Sequence, residues 1–469
     1  MKKLLVIILA CVLAVPAHAA LDAATVWEVR TAGADTNGGG YSGTTNTDMS
    51  IFDNKNAAGC TSCQSATVNI SVTDGVTNGT TNITSTTANF SAAGGTDLRN
   101  NVIYVAGGTG SVAAAWYKVV SVTNSTTIVV DRATGLTAGT GVTINIGGAL
   151  LSPAIAAASA IATNIIYIKN GTYSITSASS NVAGGVITSN VTSLWIGYST
   201  NRTQTNTDTR PIIQTNVSTA TQVTTNAATF YNINFDGNSQ TAAKWNAGGA
   251  YAHVKVSGFN TASSGTSMCD YCEITGNSAS MFLSGAGVVS NSEIHGNTAT
   301  QLGFVLLRSL VYSNTGATTD GFSAAEAYGN VFYANGRDGL AAGANFGYWV
   351  NNVAEANVRY GLNPSSTIKV LENNFTYNNN GGTGNTQILL TAANPLVQIG
   401  SVNITAGSPF TNAAGGDFSL NSTANQGALV RAAGFPASYP LGTTASALDG
   451  GAAQHAGSST VTIGVPVSQ

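Results

Sequence analysis

Five short phrases decide how this chain folds: ITGN at 274–277, IHGN at 294–297, VYSN at 311–314, FYAN at 332–335 and AEAN at 354–357. Each holds an apolar residue, two variable residues and an asparagine. Working outward, the same phrase recurs at Phe235…Asn238 and Phe375…Asn378, with a degenerate copy at Val256…Phe259, so successive copies stand 17 to 22 residues apart. Glycine before a large apolar residue forms a second phrase, at Gly321-Phe322, Gly339-Leu340 and Gly361-Leu362. A unit this short holds two or three strands joined by Gly/Asn turns and has almost no helical period. Alone it cannot bury its apolar side. Stacked as successive coils, such units form parallel sheets with strands ~4.8 Å apart, apolar columns inside and asparagines superposed at one turn. Asparagine also tolerates the left-handed turn conformation. A β-sandwich of regular strands is the alternative reading.

The composition agrees with stacking. Charged residues make up 8% of the 469 residues, against roughly 25% in an average soluble protein, while the hydrophobic fraction is 43%. Disorder requires low hydrophobicity and high net charge, and the net charge is only −3. The 54 glycines show no period of three, which excludes collagen. Past the first twenty residues no apolar run approaches the ~20 residues that span a bilayer. A mildly acidic balance argues against a nucleic-acid groove, which needs clustered Lys and Arg. In a solenoid identical positions stack every ~5 Å, so neutral Asn, Thr and Ser avoid the repulsion that charges would suffer.

Lys2 and Lys3, the apolar run Leu4 to Val15, Pro16 and Ala17-His18-Ala19 read as a secretory signal over residues 1–19. The chain is therefore expected to be exported by a Sec-type route to the periplasm, cell surface or medium. Residues 20–66 read as an N-terminal cap segment. Residues 67–149, with runs such as VNISV, NVIYV and WYKVVSV, read as a small antiparallel β domain. The repeats occupy 150–420, and 421–469 form a C-terminal cap or tail. Four cysteines remain after cleavage, as Cys60/Cys63 and Cys269/Cys272. Export favours disulfides over thiols, and the gap between the pairs far exceeds the ~15–20 residues of a zinc ribbon. Which cysteine pairs with which stays open.

These features resemble the right-handed parallel β-helix superfamily, with its pectate-lyase-like and tailspike-like members. The recurring coil phrase carries the resemblance, together with AIAAASAIATNIIYIKNGTYSI at 154–175 and NPLVQIGSVNITAGSPF…GGDFSL at 394–420. It implies an all-β fold: a right-handed parallel β-helix, or solenoid, with a small N-terminal β domain and a short capping helix. It does not imply one activity, because the superfamily includes enzymes, adhesins and passive stalks.

The register of the phrase sharpens the search for chemistry. If its apolar residue points inward, the residues on either side point outward. One outer column is then Asn234, Lys255, Glu273, Glu293 and Leu310; the other is Asp236, Ser257, Thr275, His295, Tyr312, Tyr333 and Glu355. Glu273 and Glu293 fall on adjacent coils about 5 Å apart, near the ~5–5.5 Å carboxyl spacing of retaining glycosidases. Like charges at that distance raise one pKa, making the pair the candidate catalytic residues of a hydrolase or lyase, although Lys255 opposes the shift. Asp236, Lys255, His295, Tyr312 and Tyr333 are the candidate binding residues. Tyr328, Tyr348 and Trp349 add aromatic rings to the later coils. For a calcium-dependent lyase, Asp236, Asp270 and Arg308 are candidates by type; otherwise no cofactor is expected. Phosphate-loop, H-E-x-x-H, G-x-S-x-G and calcium-nonapeptide signatures are absent, and so is any long loop between coils. The favoured expectation is a secreted or surface protein with a structural, adhesive or carbohydrate-binding role and no catalysis. A polysaccharide lyase or glycoside hydrolase and a tailspike-like receptor-binding subunit are the alternatives. Expected partners are a polysaccharide or cell-surface glycan, with no nucleic acid and no membrane insertion. The oligomeric state stays open, a homotrimer among the options.

Overall fold

The computed structural model describes residues 21–433 apart from 22, 24, 43–64, 92–97, 111, 113, 136–137, 161–162, 190, 201, 203–208, 219–220, 226, 262–266, 281–286, 343–346, 365–367, 380–386, 390–396 and 432. The expected signal, Cys60, Cys63 and most of the tail lie outside these residues. The chain divides into two compact units. One comprises 1–28, 32–150 and 158–161; the other comprises 29–31, 151–157 and 162–469.

In the first unit, alternating runs between Ile70 and Ile146 form a closed antiparallel barrel of six strands. Its interior is filled by Ile83, Phe90, Ile103, Val105, Val119, Ile128, Val142 and Ile144, which are almost fully shielded from solvent. Strand Thr25–Val29 also pairs antiparallel with Gly40–Ser42, Thr25 lying opposite Ser42.

The second unit is built on parallel sheets. The first runs through Ile165–Lys169, Leu194–Tyr198, Thr229–Tyr231, Gly249–Ala252, Ser267–Asp270, Val288–Ser290, Gln301–Leu307, Phe322–Tyr328, Gly347–Val350, Ile368–Glu372 and Val397–Ile399. The second has eleven strands, from Thr172–Ile175 through Glu273–Thr275 and Glu293–His295 to Val402–Asn403. A third, of three strands, joins Ile187–Ser189, Thr221–Thr225 and Lys244–Ala247. The chain visits the first and second sheets alternately, an arrangement that fits a β-solenoid. A short helix, Pro153–Ser159, precedes the first coil.

Tight corners make this alternation work. Between first-sheet and second-sheet strands stand two residues, the first left-handed: Asn232, His253, Tyr271, Asn291, Arg308, Gly329, Asn351 and Asn373 all have φ between 44° and 62°. From Lys255–Ser257 to Phe375–Tyr377 each second-sheet strand is followed by another left-handed residue: Gly258, Gly276, Gly296, Ser313, Ala334, Ala356 and Asn378. At Asn238 and Asn378 the recurrent asparagine is itself left-handed; from Asn277 to Asn357 it comes one place after the left-handed residue, in the interior.

It forms a ladder. Asn277, Asn297, Asn314, Asn335 and Asn357 are fully buried. Each Nδ2 donates to the next Oδ1 at 2.7–3.0 Å, ending on Asn379, which donates to Gln387. Asn314 shows the full set of bonds. Its Nδ2 also donates to the carbonyl of Ile294, and its Oδ1 accepts the backbone and side-chain N–H of Asn297. All four side-chain bonds are made, as a buried amide requires. Phe259 begins the ladder by donating its backbone N–H to Asn277. The last copy of the phrase shifts by one: Thr376 stands in the inward column and Asn379, not Asn378, joins the ladder. Phe375 instead points outward into an apolar cluster.

A second ladder, unseen in the sequence, runs along the other corner. The backbone N–H of Cys272 donates to Ser292 Oγ, Ser292 to Ser309 Oγ, and Ser309 to Asn330 Oδ1. Asn330, Asn352 and Asn374 then link amide to amide at 2.9 Å. Apolar columns fill the space between: Trp195, Phe230, Tyr251, Cys269, Val289, Leu306, Ala327, Trp349 and Leu371 from the first sheet. Facing them are Phe235, Val256, Ile274, Ile294, Val311 and Phe332. Cys269 and Cys272 are joined by a disulfide across one corner, Cα to Cα 5.9 Å.

Replacing Asn314 by Ala strands both N–H groups of Asn297 in the interior. Orphaned buried groups cost ~1–3 kcal/mol each, so Asn314→Ala is expected to lower unfolding stability by about 3 kcal/mol or more. Asn378→Gly, at an exposed left-handed position off the ladder, is expected to be nearly neutral. Denaturant midpoints of the two variants check the contrast.

Candidate functional site

The outward residues of the second sheet pair in the columns that alternation predicts. Lys255, Glu273, Glu293 and Leu310 are successive Cα partners, as are Ser257, Thr275, His295, Tyr312, Tyr333 and Glu355. Asp236 stands beside Ser257 on the coil before. One face therefore collects Asp236, Lys255, Glu273, Glu293, His295, Tyr312 and Tyr333.

Glu273 is the hub. Its Oε1 lies 2.7 Å from Lys255 Nζ and 3.4 Å from His295 Nε2. These partners, His295 foremost, hold the Glu273 carboxyl down to about 2, against the opposing effect of partial burial. An opposite charge and a hydrogen bond to the ionised form both act in this direction. The raised carboxyl that a two-carboxylate acid/base pair needs is thus not at Glu273, because its bonds to His295 and Lys255 outweigh the effect of burial. Glu293 is exposed and accepts from the Tyr312 hydroxyl at 3.5 Å. Burial and the nearby carboxylates push the Tyr312 phenol up to about 12, so it stays a donor at any ordinary pH.

The aromatic groups of this face are engaged with one another. His295 and Tyr312 stack with centroids 4.9 Å apart and planes 7° from parallel. Tyr312 and Tyr333 both pack against Phe418. Phe418 belongs to a segment that folds back over the sheet: Ile404, Phe410, Phe418, Leu420 and Val430 form one cluster with the outward Val331, Val353 and Phe375. Ser408 fastens it, donating to Glu355 at 2.8 Å, and burial raises the Glu355 carboxyl. The stretch with the look of closing coils is therefore partly a strap along the outer face. Among the described residues its apolar cluster does not extend to the coils from Thr172 to Thr275. Long-range packing of this kind left no local signal except the apolar alternation of Phe410, Phe418 and Leu420.

The remaining candidates are dispersed. Asp236 accepts from Gln214 Nε2 and the backbone of Asn238. Asp270 lies on the first sheet instead, bonded to Ser290 and Asn291, and Arg308 occupies a left-handed corner. The three lyase candidates are not brought together. Among the described residues no group of three His, Cys, Asp or Glu side chains converges on a common point. Trp349 faces inward, fully buried, while Tyr348 faces outward and Tyr328 donates to Glu326.

Two carboxylates that sequence reasoning passed over are the most deeply buried acids of the solenoid. Asp320 is 3% and Asp338 0% exposed. Arg337 and Arg359, each one coil on, grip them with paired bonds. The signal lay in the residue before the first two Gly-Φ phrases, Asp-Gly-Phe and Asp-Gly-Leu, with Arg two places before the glycines of Gly339-Leu340 and Gly361-Leu362. Every oxygen there has a partner, which marks a structural clamp. No protein-family model matches this chain, and no curated protein matches it by sequence.

Because Glu273 titrates lower in the folded protein than its ordinary 4.5, its contribution to stability is complete above about 4.5. That contribution fades as pH falls towards about 2. Glu273→Gln should flatten the acid limb of a stability–pH profile while leaving the limb above neutrality unchanged. Denaturation midpoints measured between those limits provide the check.

Proposed function

We propose that the chain is an exported right-handed parallel β-helix with an adhesive, carbohydrate-binding role and no catalytic turnover. Right-handedness is supported by the near-universal hand of parallel crossovers within one sheet. Export is supported by the signal-like residues 1–19. The pectate-lyase-like and tailspike-like resemblance is supported by the alternation of parallel sheets and the stacked corners, both of which the coil phrase anticipates.

One observation carries the non-catalytic reading. The Glu273 carboxylate is bound by Lys255 and His295 and held ionised, so the face offers hydrogen-bonding groups in place of an acid/base couple. Ser174, Gln214, Asp236, Ser257, Thr275 and Glu293 line the coils outside the strap's apolar cluster, one or two to a coil and ~4.8 Å apart. A regular row of hydroxyls, amides and carboxylates suits a ligand that is itself a regular row of hydroxyls. His295 and Tyr312 spend their faces on each other, so recognition here rests on hydrogen bonds rather than on rings lying flat against sugars.

A glycan array and a polysaccharide panel test both halves of this reading. The protein is expected to retain a glycan and to release neither reducing ends nor unsaturated products. Gln214→Ala with Asp236→Ala should weaken retention about tenfold, the effect of losing roughly 1.4 kcal/mol of contact. Product release that disappears in Glu273→Gln or Glu293→Gln would overturn it in favour of a hydrolase or lyase.

A further inference from the structure

The outer face of the first sheet has a different chemistry. Its outward positions form two columns along eleven strands. The first is Ile165, Leu194, Thr229, Ala250, Met268, Val288, Val305, Glu326, Tyr348, Val370 and Val397. The second is Tyr167, Ile196, Tyr231, Ala252, Asp270, Ser290, Leu307, Tyr328, Val350, Glu372 and Ile399. Seventeen of these twenty-two are apolar or aromatic. Met268 is 61%, Tyr348 50%, Val397 50% and Ile399 52% exposed, four of the most exposed large hydrophobics among the described residues. An apolar stripe that runs the length of a sheet is unusual on a monomer surface and marks an interaction site.

From this face we infer that the protein self-associates through the first sheet, as a twofold dimer with the solenoid axes antiparallel. Three features point to a second copy. The area suffices: ten strand steps of ~4.8 Å by a width of ~10 Å give a footprint of ~500 Å² per copy, matching the ~1,000 Å² in total that a specific interface needs. The spacing matches too, since another copy presents the same repeat and its side chains fall between those opposite along the whole length. Charge then selects direction. The columns carry three acids, Asp270 on the fifth strand, Glu326 on the eighth and Glu372 on the tenth, while at the first strand Lys169 ends the strand and Arg202 stacks over Tyr167. Parallel axes would set each acid against its own copy, whereas antiparallel axes set Glu372 against Leu194 and Ile196, Glu326 against Ala250 and Ala252, and Asp270 against Val305 and Leu307. A single patch meeting itself closes as a twofold pair. A homotrimer would need a second apolar face, and the outer face of the second sheet is polar or strapped.

Sedimentation equilibrium of the purified full chain at about 10 μM should give twice the 47.3 kDa chain mass or twice that of the signal-cleaved chain. Met268→Lys with Tyr348→Lys, both at exposed positions, should raise the dissociation constant at least about tenfold with an unchanged circular dichroism spectrum. Val288 lies on the sixth, central strand, so Val288→Cys should cross-link to its own copy under mild oxidation, while Val397→Cys at the end should not. A monomeric or trimeric wild type, a doubly substituted chain that stays dimeric, or cross-linking through Val397→Cys alone would overturn the inference.

Discussion

A buried asparagine that must give two hydrogen bonds and take two governs this stack of parallel strands. In the interior no water answers for a missing partner, and an unmade bond costs more than a made one gains. Each amide in the run from Asn277 to Asn379 is satisfied only if the coil on either side places its own amide at the same height. The ladder therefore fixes register. A coil longer or shorter by one residue must take up the difference elsewhere, in a turn or loop, and cannot shift the corner. Aspartate would fail at these positions because it cannot donate and its charges would stack.

The corners follow from the same constraint. To bring the amide inside immediately after a strand that points outward, the chain must reverse within one residue, and only the left-handed region achieves this. Glycine occupies it at Gly276 and Gly296, but Ser313, Ala334 and Ala356 occupy it as well. For a residue with a Cβ that conformation costs roughly 1–2 kcal/mol. The ladder bonds and the buried columns offset it. The low charge of the chain has the same origin, since an outward column repeats its neighbours at sheet spacing. Among the charges that remain in the repeats, three pairs link neighbouring coils, Lys255 with Glu273, Arg337 with Asp320 and Arg359 with Asp338.

Much of this was legible because the period of a strand is two and the phrase marks its phase. Knowing that Ile274 and Ile294 point inward was enough to place Glu273 beside Glu293 and His295 beside Tyr312. Three things were not legible. The asparagine was read as a stacking amide that also suits a left-handed turn; the amides do stack, but only Asn238 and Asn378 take the turn themselves and from Asn277 to Asn357 it falls to the residue before, because a repeat reveals which position recurs and not which torsion it adopts. The last copy slipped by one, because Phe375 is claimed by the apolar cluster of the strap and Thr376 takes the inward place. The strap escaped because its partners, Phe418 with Tyr312 and Tyr333, lie some eighty to a hundred residues apart in the chain. The state of Glu273 was half legible, since Lys255 stood out as opposing a raised pKa while the larger cause, the hydrogen bond to His295 from the next coil, was not counted.

A chain whose local rules agree so widely is informative where they disagree. In the repeats the inward columns are apolar except at Thr376, the two corner ladders bond coil to coil and Asp320 and Asp338 are clamped, as a stable stack requires. The coils of the second sheet beyond the strap's cluster are polar outside, which solvent alone explains. The outward columns of the first sheet break the pattern: Leu194, Ile196, Met268, Val305, Tyr348 and Val370 occupy positions where Thr, Asn or Ser would serve a solvated strand equally well. Nothing inside the coils requires apolar groups there, because the interior is already filled by Trp195, Phe230, Tyr251 and Trp349. An apolar residue kept on the outside of eleven successive strands answers to something beyond the coil itself, and a repeat of the same face in a second copy meets that requirement with no further chemistry.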